Sequence, residues 1–372
     1  MGAGSTRSDV ALVPLAGLDA AAWDDLFARA RAPHPHYSRH VLAAHRAAGL
    51  AAADLSVLTV HRGRRLDALL PIRSRRDITG LGRSVAVPFR SAFVTATGPL
   101  VAADAPDALD ALVRGLAAAA PGRAWRWPLL PQACADPLRA ALDRAGWSHG
   151  AVAEFARPVL DRRESHADFL AAHPRSGRLK DLRRRARRLA GDGLLRLETA
   201  TAGSELAAAV EAFLDLERRG WKGAAGTAMA CRPETARLAR ALFADADGPV
   251  RARADSLTLD GVPVAISLAL TDGRTATLLK TAYDEGRRAQ APGLVLEAEI
   301  VRAFHETRFA DRLDSAALPG SALEDLYPER ESVIEILALP TGARGPSLAG
   351  RIRLARAEHR ARAAAKRMLG RR

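Results

Sequence analysis

Only two cysteines, Cys134 and Cys231, occur in 372 residues, which excludes a disulfide scaffold and a cysteine-rich zinc module. No window reaches the run of about 18 uncharged apolar residues that a membrane span needs, because Arg, Asp, Pro or Gly interrupts even the alanine-rich stretches. The N-terminus lacks the apolar core of a secretory leader, since Arg7, Ser8 and Asp9 come first. A reducing, cytoplasmic setting is therefore expected. Lysine is scarce as well: four residues, Lys180, Lys222, Lys280 and Lys366, stand against fifty-two arginines. In so Arg-biased a chain, a retained lysine suggests that a compact or titratable ammonium is wanted at that place.

What is present is ample apolar material, 48% of the residues with 26% charged, enough for about two packed domains. The net charge of +14 is concentrated in two blocks. Residues 175–188 carry +7 and residues 341–372 carry +9, so the remainder of the chain is slightly acidic.

Periodicity divides the chain into two α+β stretches. The first shows helical spacing at Trp23-Asp24-Asp25-Leu26-Phe27 and from Arg39 to Ala48, then a hairpin of two strands around Arg62-Gly63-Arg64. A helix from Pro106 to Ala119, a strand from Trp125, a helix from Asp136 to Ala145 and a strand from Gly150 follow. The second predicts one helix from His166 to Leu189, a strand, and a helix ending at Gly220. After a further helix from Pro233, three antiparallel strands are joined through Asp260-Gly261 and Asp272-Gly273. A loop from Asp284 to Pro292, a helix to about Thr307, and strands near Arg312 and Ser332 complete it. The strand after that helix is expected to lie parallel to its neighbour.

Three segments carry a pattern. They are Leu216-Glu217-Arg218-Arg219-Gly220-Trp221-Lys222-Gly223 with Gly226-Thr227-Ala228, Asp260 to Ala265, and Lys280-Thr281-Ala282-Tyr283-Asp284-Glu285 followed by Arg288-Ala289-Gln290-Ala291-Pro292-Gly293. With the order of elements, they resemble the GNAT acyltransferase superfamily, and within it the CelD-like and FemAB-like branch, in which two GNAT-type units are fused. The resemblance rests on motifs from Leu170 to Leu339, and on element order alone in the first half. It implies an α/β (α+β) fold of tandem GNAT-like units, with a mixed, mostly antiparallel sheet flanked by helices and a splayed parallel strand pair. The implied division is a degenerate unit over 10–160, an acyltransferase unit over 165–340 and a basic tail over 341–372.

The resemblance also implies acetyl-CoA or another acyl-CoA as co-substrate, no metal, and transfer to an amine or hydroxyl of a small-molecule or glycan-precursor acceptor in envelope or polysaccharide biosynthesis. The donor loop would be Arg288, Gln290, Ala291, Pro292 and Gly293, with Ala291 where the family motif has its first glycine. A helix start supports this physically, because its unpaired N–H groups and partial positive charge suit a pyrophosphate. Lys280 could stabilise an oxyanion, hold a substrate carboxylate or phosphate, or sit on the solvent face of the sheet. Tyr283 could protonate a leaving thiolate, and Asp284 or Glu217 could accept the acceptor's proton. Alternation puts Lys280 and Tyr283 on opposite faces unless a bulge intervenes. Trp221 and Lys222 could line the acceptor site, or Trp221 could be a buried helix cap. Asp314 could orient the acceptor or cap a turn.

His34, His36, His40 and His45 have no carboxylate or thiol at supporting spacing, so no metal is expected there. The absence of Gly-x-Ser-x-Gly removes the anchor of a hydrolase triad. In the segment Arg178 to Leu189, Leu179, Leu182, Ala186 and Leu189 share a helix face and the rest is charged. Residues 175–188 and 341–372 would suit an acidic carrier protein, tRNA or an anionic membrane surface, the last giving a peripheral location. The tail has few aromatic side chains, so its contacts would be electrostatic rather than stacking. Two rivals to the acyl-CoA reading remain: a FemAB-like aminoacyl-tRNA-dependent aminoacyltransferase, and a non-catalytic basic adaptor in envelope assembly.

Overall fold

A computed structural model of the chain describes residues 8–52 and 55–369. In chain order the elements are β1 (Asp9–Pro14), α1 (Ala20–Arg29), α2 (Arg39–Ala47), β2 (Ser56–Arg62), β3 (Arg65–Arg76), β4 (Ser84–Pro88), β5 (Leu100–Val101), α3 (Ala108–Ala119), β6 (Trp125–Pro131), α4 (Gln132–Arg144) and β7 (Ser148–Asp161). There follow α5 (His166–Ala172), α6 (Ser176–Ala190), β8 (Leu195–Ala200), α7 (Gly203–Arg219), α8 (Trp221–Ala224), α9 (Pro233–Leu242), β9 (Arg251–Leu259), β10 (Val262–Thr271), β11 (Thr275–Tyr283), α10 (Pro292–Thr307), β12 (Arg312–Asp314), β13 (Glu329–Leu339) and α11 (Leu348–Leu369). The class is mixed α/β, with mostly antiparallel strand pairs, some parallel ones, and flanking helices.

The chain folds as two compact units that interleave in sequence. Among the described residues the first holds 8–37, 55–155 and 332–369, and the second 38–52 and 156–331. This differs from the linear division expected at 10–160, 165–340 and 341–372. Strand β13 is the reason: Val333 to Ala338 pair antiparallel with β6 of the first unit and carry the C-terminal segment with them.

In the first unit the strand order is β1-β2-β3-β4-β6-β13, with β5 paired to β3. β4 and β6 are parallel and share a single pair, Ala86 with Trp125. The segment after β4 then lies along β6, where the Thr97 N–H donates to the Leu129 carbonyl at 3.0 Å and the Thr97 hydroxyl to that of Pro128. The basic tail is a helix rather than a free arm; its residues 370–372 lie outside the described residues. On α11, Ala355 is fully buried with Val152 and Leu337, and Glu358 takes part in an ion-pair network around buried Arg126. That guanidinium donates to Glu335 at 2.5 Å, Glu358 at 2.7 Å and Asp77 at 3.2 Å. Burial works against its charge, yet the facing carboxylates hold its pKa above the ordinary arginine value.

In the second unit the order is β7-β12-β11-β10-β9-β8. One side of the sheet packs α10, α5 and α6, around Val295, Leu296, Ile300, Val301 and Phe304 with Ala276 and Leu278 of β11. The other carries α7, whose Val210, Phe213 and Leu214 are buried. The single helix expected from His166 to Leu189 is two, α5 and α6. His173-Pro174-Arg175 separates them, because proline lacks the N–H and clashes with the preceding turn. The strands β1 and β4 carry too few residues of clear alternation to be foreseen. α4 begins at Gln132, four residues before the expected Asp136, and accommodates Pro137 within its second turn.

Candidate functional site

The second unit opens where its parallel strands part. β11 and β12 pair through Thr275–Arg312, Ala276–Leu313 and Thr277–Asp314, and there β12 ends. β11 continues through Leu278 to Tyr283 with β10 on its other edge. Among the described residues no strand pairs with β11 on that edge beyond Thr277, which leaves room for an extended ligand beside the half of the strand that contains Lys280. Asp314 marks the point of divergence. Its Oδ1 accepts the Ala316 N–H at 2.8 Å, across a turn in which Ala316 has φ +52°, and its Oδ2 accepts from buried Arg157 at 3.3 Å. It therefore caps the turn that ends β12, and it does so facing a buried arginine.

A one-residue irregularity decides which way Lys280 faces. Lys280 pairs with Leu268 and Leu278 with Ala269, so Leu279 is an extra residue in β11. Ala276 and Leu278 belong to the α10 side. Unbroken alternation would place Lys280 with them, in an apolar layer. The bulge inverts the phase, so that Thr281 and Tyr283 take the α10 side and Lys280 the α7 side. It precedes Lys280, so it does not bring Lys280 and Tyr283 together; from Lys280 to Tyr283 the register is regular.

On the α7 side three predicted residues converge. Glu217, 4% exposed near the end of α7, accepts from the Lys222 ammonium at 2.8 Å and from the Met229 N–H at 2.7 Å. Lys280 lies within their field. Burial lowers its pKa first, the Lys222 charge lowers it further, and Glu217 opposes both. With both oxygens engaged, Glu217 holds the turn and balances the lysines. Gly223 is required by that turn, since a Cβ there would stand 1.7 Å from the Arg218 carbonyl oxygen. Trp221 is 59% exposed, so it is not a buried cap. Its N–H donates to Glu285 at 2.8 Å, which ties the Trp-Lys-Gly turn to the loop before α10.

The α10 side holds the expected donor loop. Ala291, where the motif would have glycine, adopts φ +49° and ψ +54°, the left-handed conformation that glycine enters freely. The loop geometry is kept although the side chain differs. Pro292 opens α10 and no side chain caps its N-terminus. Gly293 packs on Tyr283, whose Cδ1 would be 3.2 Å from an added Cβ. Arg288 is exposed, with no side-chain hydrogen bond or ion pair among the described residues. Gln290 does not face an open loop: it donates to Asp192 at 2.7 Å beside Arg287 at 2.8 Å. Asp284 accepts the Gly286 N–H at 2.9 Å and shapes the turn. Arg288, Gly293 and the uncapped helix start are thus the features that fit a pyrophosphate, and Tyr283 lies beneath them, away from Lys280.

Glu297 was absent from the expected site. It is 3% exposed and accepts from Thr281 at 3.0 Å and Ser267 at 3.2 Å through Oε1, while Oε2 has no partner among the described residues. Burial, offset by those hydroxyls and reinforced by the charge of Asp255, pushes its pKa up to about 7. The sequence held a signal, because Glu297 falls three, four and seven residues before Ile300, Val301 and Phe304, on the apolar stripe of the helix.

The four N-terminal histidines each have their own partner, and the His34 and His36 rings lie 5.8 Å apart. His34 bonds the Gly98 carbonyl at 2.7 Å and His36 the Thr95 hydroxyl at 2.7 Å, whereas His40 bonds the Leu242 carbonyl and His45 that of Val41, each at 2.8 Å.

Residues 176–317 match the family model described as acetyltransferase (GNAT) domain. A search of curated proteins finds no match. Among solved structures, FemX aligns with a TM-score of 0.58 and 10% identity over 88% of this chain and 96% of its own. A conserved protein of unknown function from Bacteroides thetaiotaomicron VPI-5482 aligns with a TM-score of 0.52 and 13% identity, over 87% and 98%. A tandem GNAT protein from the clavulanic acid biosynthesis pathway aligns at 0.40 and 17%, over 91% and 100%. The domain match covers the divergent strands, the Trp-Lys-Gly turn and the loop before α10: residues 176–317 match a GNAT acetyltransferase domain, and the chain as a whole shares its fold with FemX.

Proposed function

We propose that the protein is an N- or O-acyltransferase that moves an acyl group from acetyl-CoA or a longer acyl-CoA to an amine or hydroxyl acceptor. The observation that carries this reading is the divergence of β11 and β12 at Asp314, with Lys280 on the half of β11 beyond it and the uncapped α10 N-terminus packed on Tyr283 at the end of that strand. The donor supplies an activated thioester carbonyl. Arg288 and the first N–H groups of α10 would bind its phosphates, with Gly293 allowing close approach. The acceptor's nitrogen or oxygen attacks the carbonyl carbon, the new C–N or C–O bond forms, the C–S bond breaks, and the acceptor's proton passes to the thiolate. Lys280 would stabilise the negative charge that develops on the carbonyl oxygen, in a partly desolvated setting where a fixed cation counts for more than in water. The charges of Lys222 and Glu217 act on that ammonium in opposite senses. An acceptor bearing a carboxylate or phosphate would meet two lysines balanced by one carboxylate, and exposed Trp221 at the rim.

A second reading replaces the donor with aminoacyl-tRNA. It is favoured by α6, where Lys180, Arg183, Arg184, Arg187 and Arg188 are exposed along one face at helical spacing. An acidic carrier protein or an anionic membrane would be drawn to the same face. Calorimetric titration with acetyl-CoA, hexanoyl-CoA and deacylated tRNA separates these readings. Acyl-CoA binding with one site per chain, at an affinity lost in Arg288→Glu, supports the first. Salt-sensitive tRNA binding without any acyl-CoA binding supports the second, and binding of neither favours the adaptor.

A further inference from the structure

The first unit contains a cavity of about 270 Å³ lined wholly by its own residues, none of which takes part in the chemistry above. It lies among the segment after α1, strand β5, the start of α3 and one side of α4. Val101, Leu109 and Pro137 give it aliphatic walls, and buried Cys134 lines it as well. Its charged residues are Arg31 and Arg144, and the lining holds no acidic side chain and no aromatic ring. Arg144 is already answered by Asp110 at 2.6 Å. Arg31 is exposed and has no side-chain hydrogen bond or ion pair among the described residues.

These features select a ligand chemistry. At about 30 Å³ per water-sized group, the volume admits roughly nine non-hydrogen atoms. A nucleobase would find no ring to stack on, and with arginine as the charged residue type of the lining an anion is favoured over a neutral sugar. A cation would be repelled by both arginines, whereas a neutral alkane would leave Arg31 unanswered at the mouth. We propose that the cavity binds a short aliphatic monocarboxylate, its carboxylate on Arg31 and its chain against Val101, Leu109 and Pro137. This inference is independent of the transferase reading, because it uses no residue of the second unit.

The test uses full-length protein carrying Cys231→Ser, so that Cys134 is the remaining thiol. Hexanoate, 1-hexanol and hexylammonium are titrated by calorimetry, and alkylation of Cys134 by iodoacetamide is timed in their presence. Saturable hexanoate binding is expected, with slowed alkylation of Cys134, at least tenfold weaker binding of hexanol and none of hexylammonium. Arg31→Ala should weaken hexanoate about tenfold, or about 1.4 kcal/mol, with an unchanged melting temperature. Ala140→Trp, at an exposed α4 position lining the cavity, should abolish binding, and Lys280→Ala should leave it intact. The proposal is overturned if hexanoate gives neither heat nor protection, if hexanol binds as well as hexanoate, or if both Arg31→Ala and Ala140→Trp bind like the parent.

Discussion

Lys280 and Glu297 are both ionisable groups that the fold has taken largely out of water, on opposite sides of one sheet, and the two make different predictions. Lys280→Ala is expected to lower turnover at least tenfold, about 1.4 kcal/mol of transition-state stabilisation, while the denaturation midpoint stays close to that of the parent. Lys280→Arg should not restore the rate, because a planar guanidinium does not reproduce a compact ammonium at a crowded strand position. Unaltered kinetics in Lys280→Ala would remove Lys280 from the mechanism. Glu297 concerns stability. Its pKa of about 7 in the folded chain lies above the ordinary 4.5, so the native state keeps a proton that the unfolded state releases. The stability present below pH 4.5 is therefore lost as pH rises towards 7, and remains lost above it. Glu297→Gln keeps the hydroxyl contacts without the charge, and should raise stability at pH 8 by up to roughly 3 kcal/mol, with little change at pH 4. Urea melts at the two pH values check this; equal effects at both would show that Glu297 is not held protonated. The sequence made Lys280 conspicuous through lysine scarcity, but nothing in it said which face the side chain takes.

At the scale of elements, the start of α10 concentrates the testable geometry. Ala291 holds a left-handed conformation that costs a residue with a Cβ about 1–2 kcal/mol, against roughly 0.5–1 kcal/mol of extra chain entropy for glycine. Ala291→Gly should therefore stabilise the protein by about 0.5 kcal/mol and leave donor affinity at least as high, as measured by denaturant titration and donor binding. Gly293→Val should do the opposite. Its side chain would enter the 3.2 Å gap to Tyr283, displacing either the ring or the helix start. A loss of about 1–3 kcal/mol in stability is expected, with donor KM raised more than kcat is lowered. Normal donor KM in that variant would argue that the donor does not touch the helix start. The loop's position and its Pro-Gly helix start were legible in sequence, because proline and glycine carry conformational meaning alone. The bulge at Leu279 was not. Its cause is the pairing of two strands, and no residue in Thr275–Tyr283 announces it.

For the whole molecule, the instructive feature is the return of the C-terminal segment to the first unit. The +9 block of residues 341–372 looks like an electrostatic arm in sequence, yet several of its side chains work within the fold. Arg351 is 3% exposed and donates to the carbonyl of Thr79 at 2.5 Å and that of Arg344 at 2.8 Å, while Glu358 faces Arg126. Deleting residues 341–372 should cost the first unit at least about 3 kcal/mol, since it strips a partner from a buried cation and exposes an apolar face. Arg353→Glu with Arg360→Glu, at exposed positions of the same helix, should change stability by less than about 1 kcal/mol. Comparing the two by urea denaturation separates an arm valued for charge from a helix valued for packing; equal and small effects would favour the arm.

The sequence by itself determined the α/β class, most of the helices and strands, the antiparallel hairpins at Asp260-Gly261 and Asp272-Gly273, and the segments from which the candidate site is drawn. These follow from local causes: apolar periodicity, turn residues with positive φ, and the scarcity of one residue type. Tertiary structure alone decided which of the predicted residues lie together. It set Lys280 with Glu217 and Lys222 but Tyr283 with Gly293, engaged Gln290 with Asp192, buried Glu297, and sent β13 back to β6. Each of these outcomes depends on strand register or on contacts between residues far apart in the chain, and such contacts are fixed by the balance of burial and pairing over a whole unit rather than by the residues beside them.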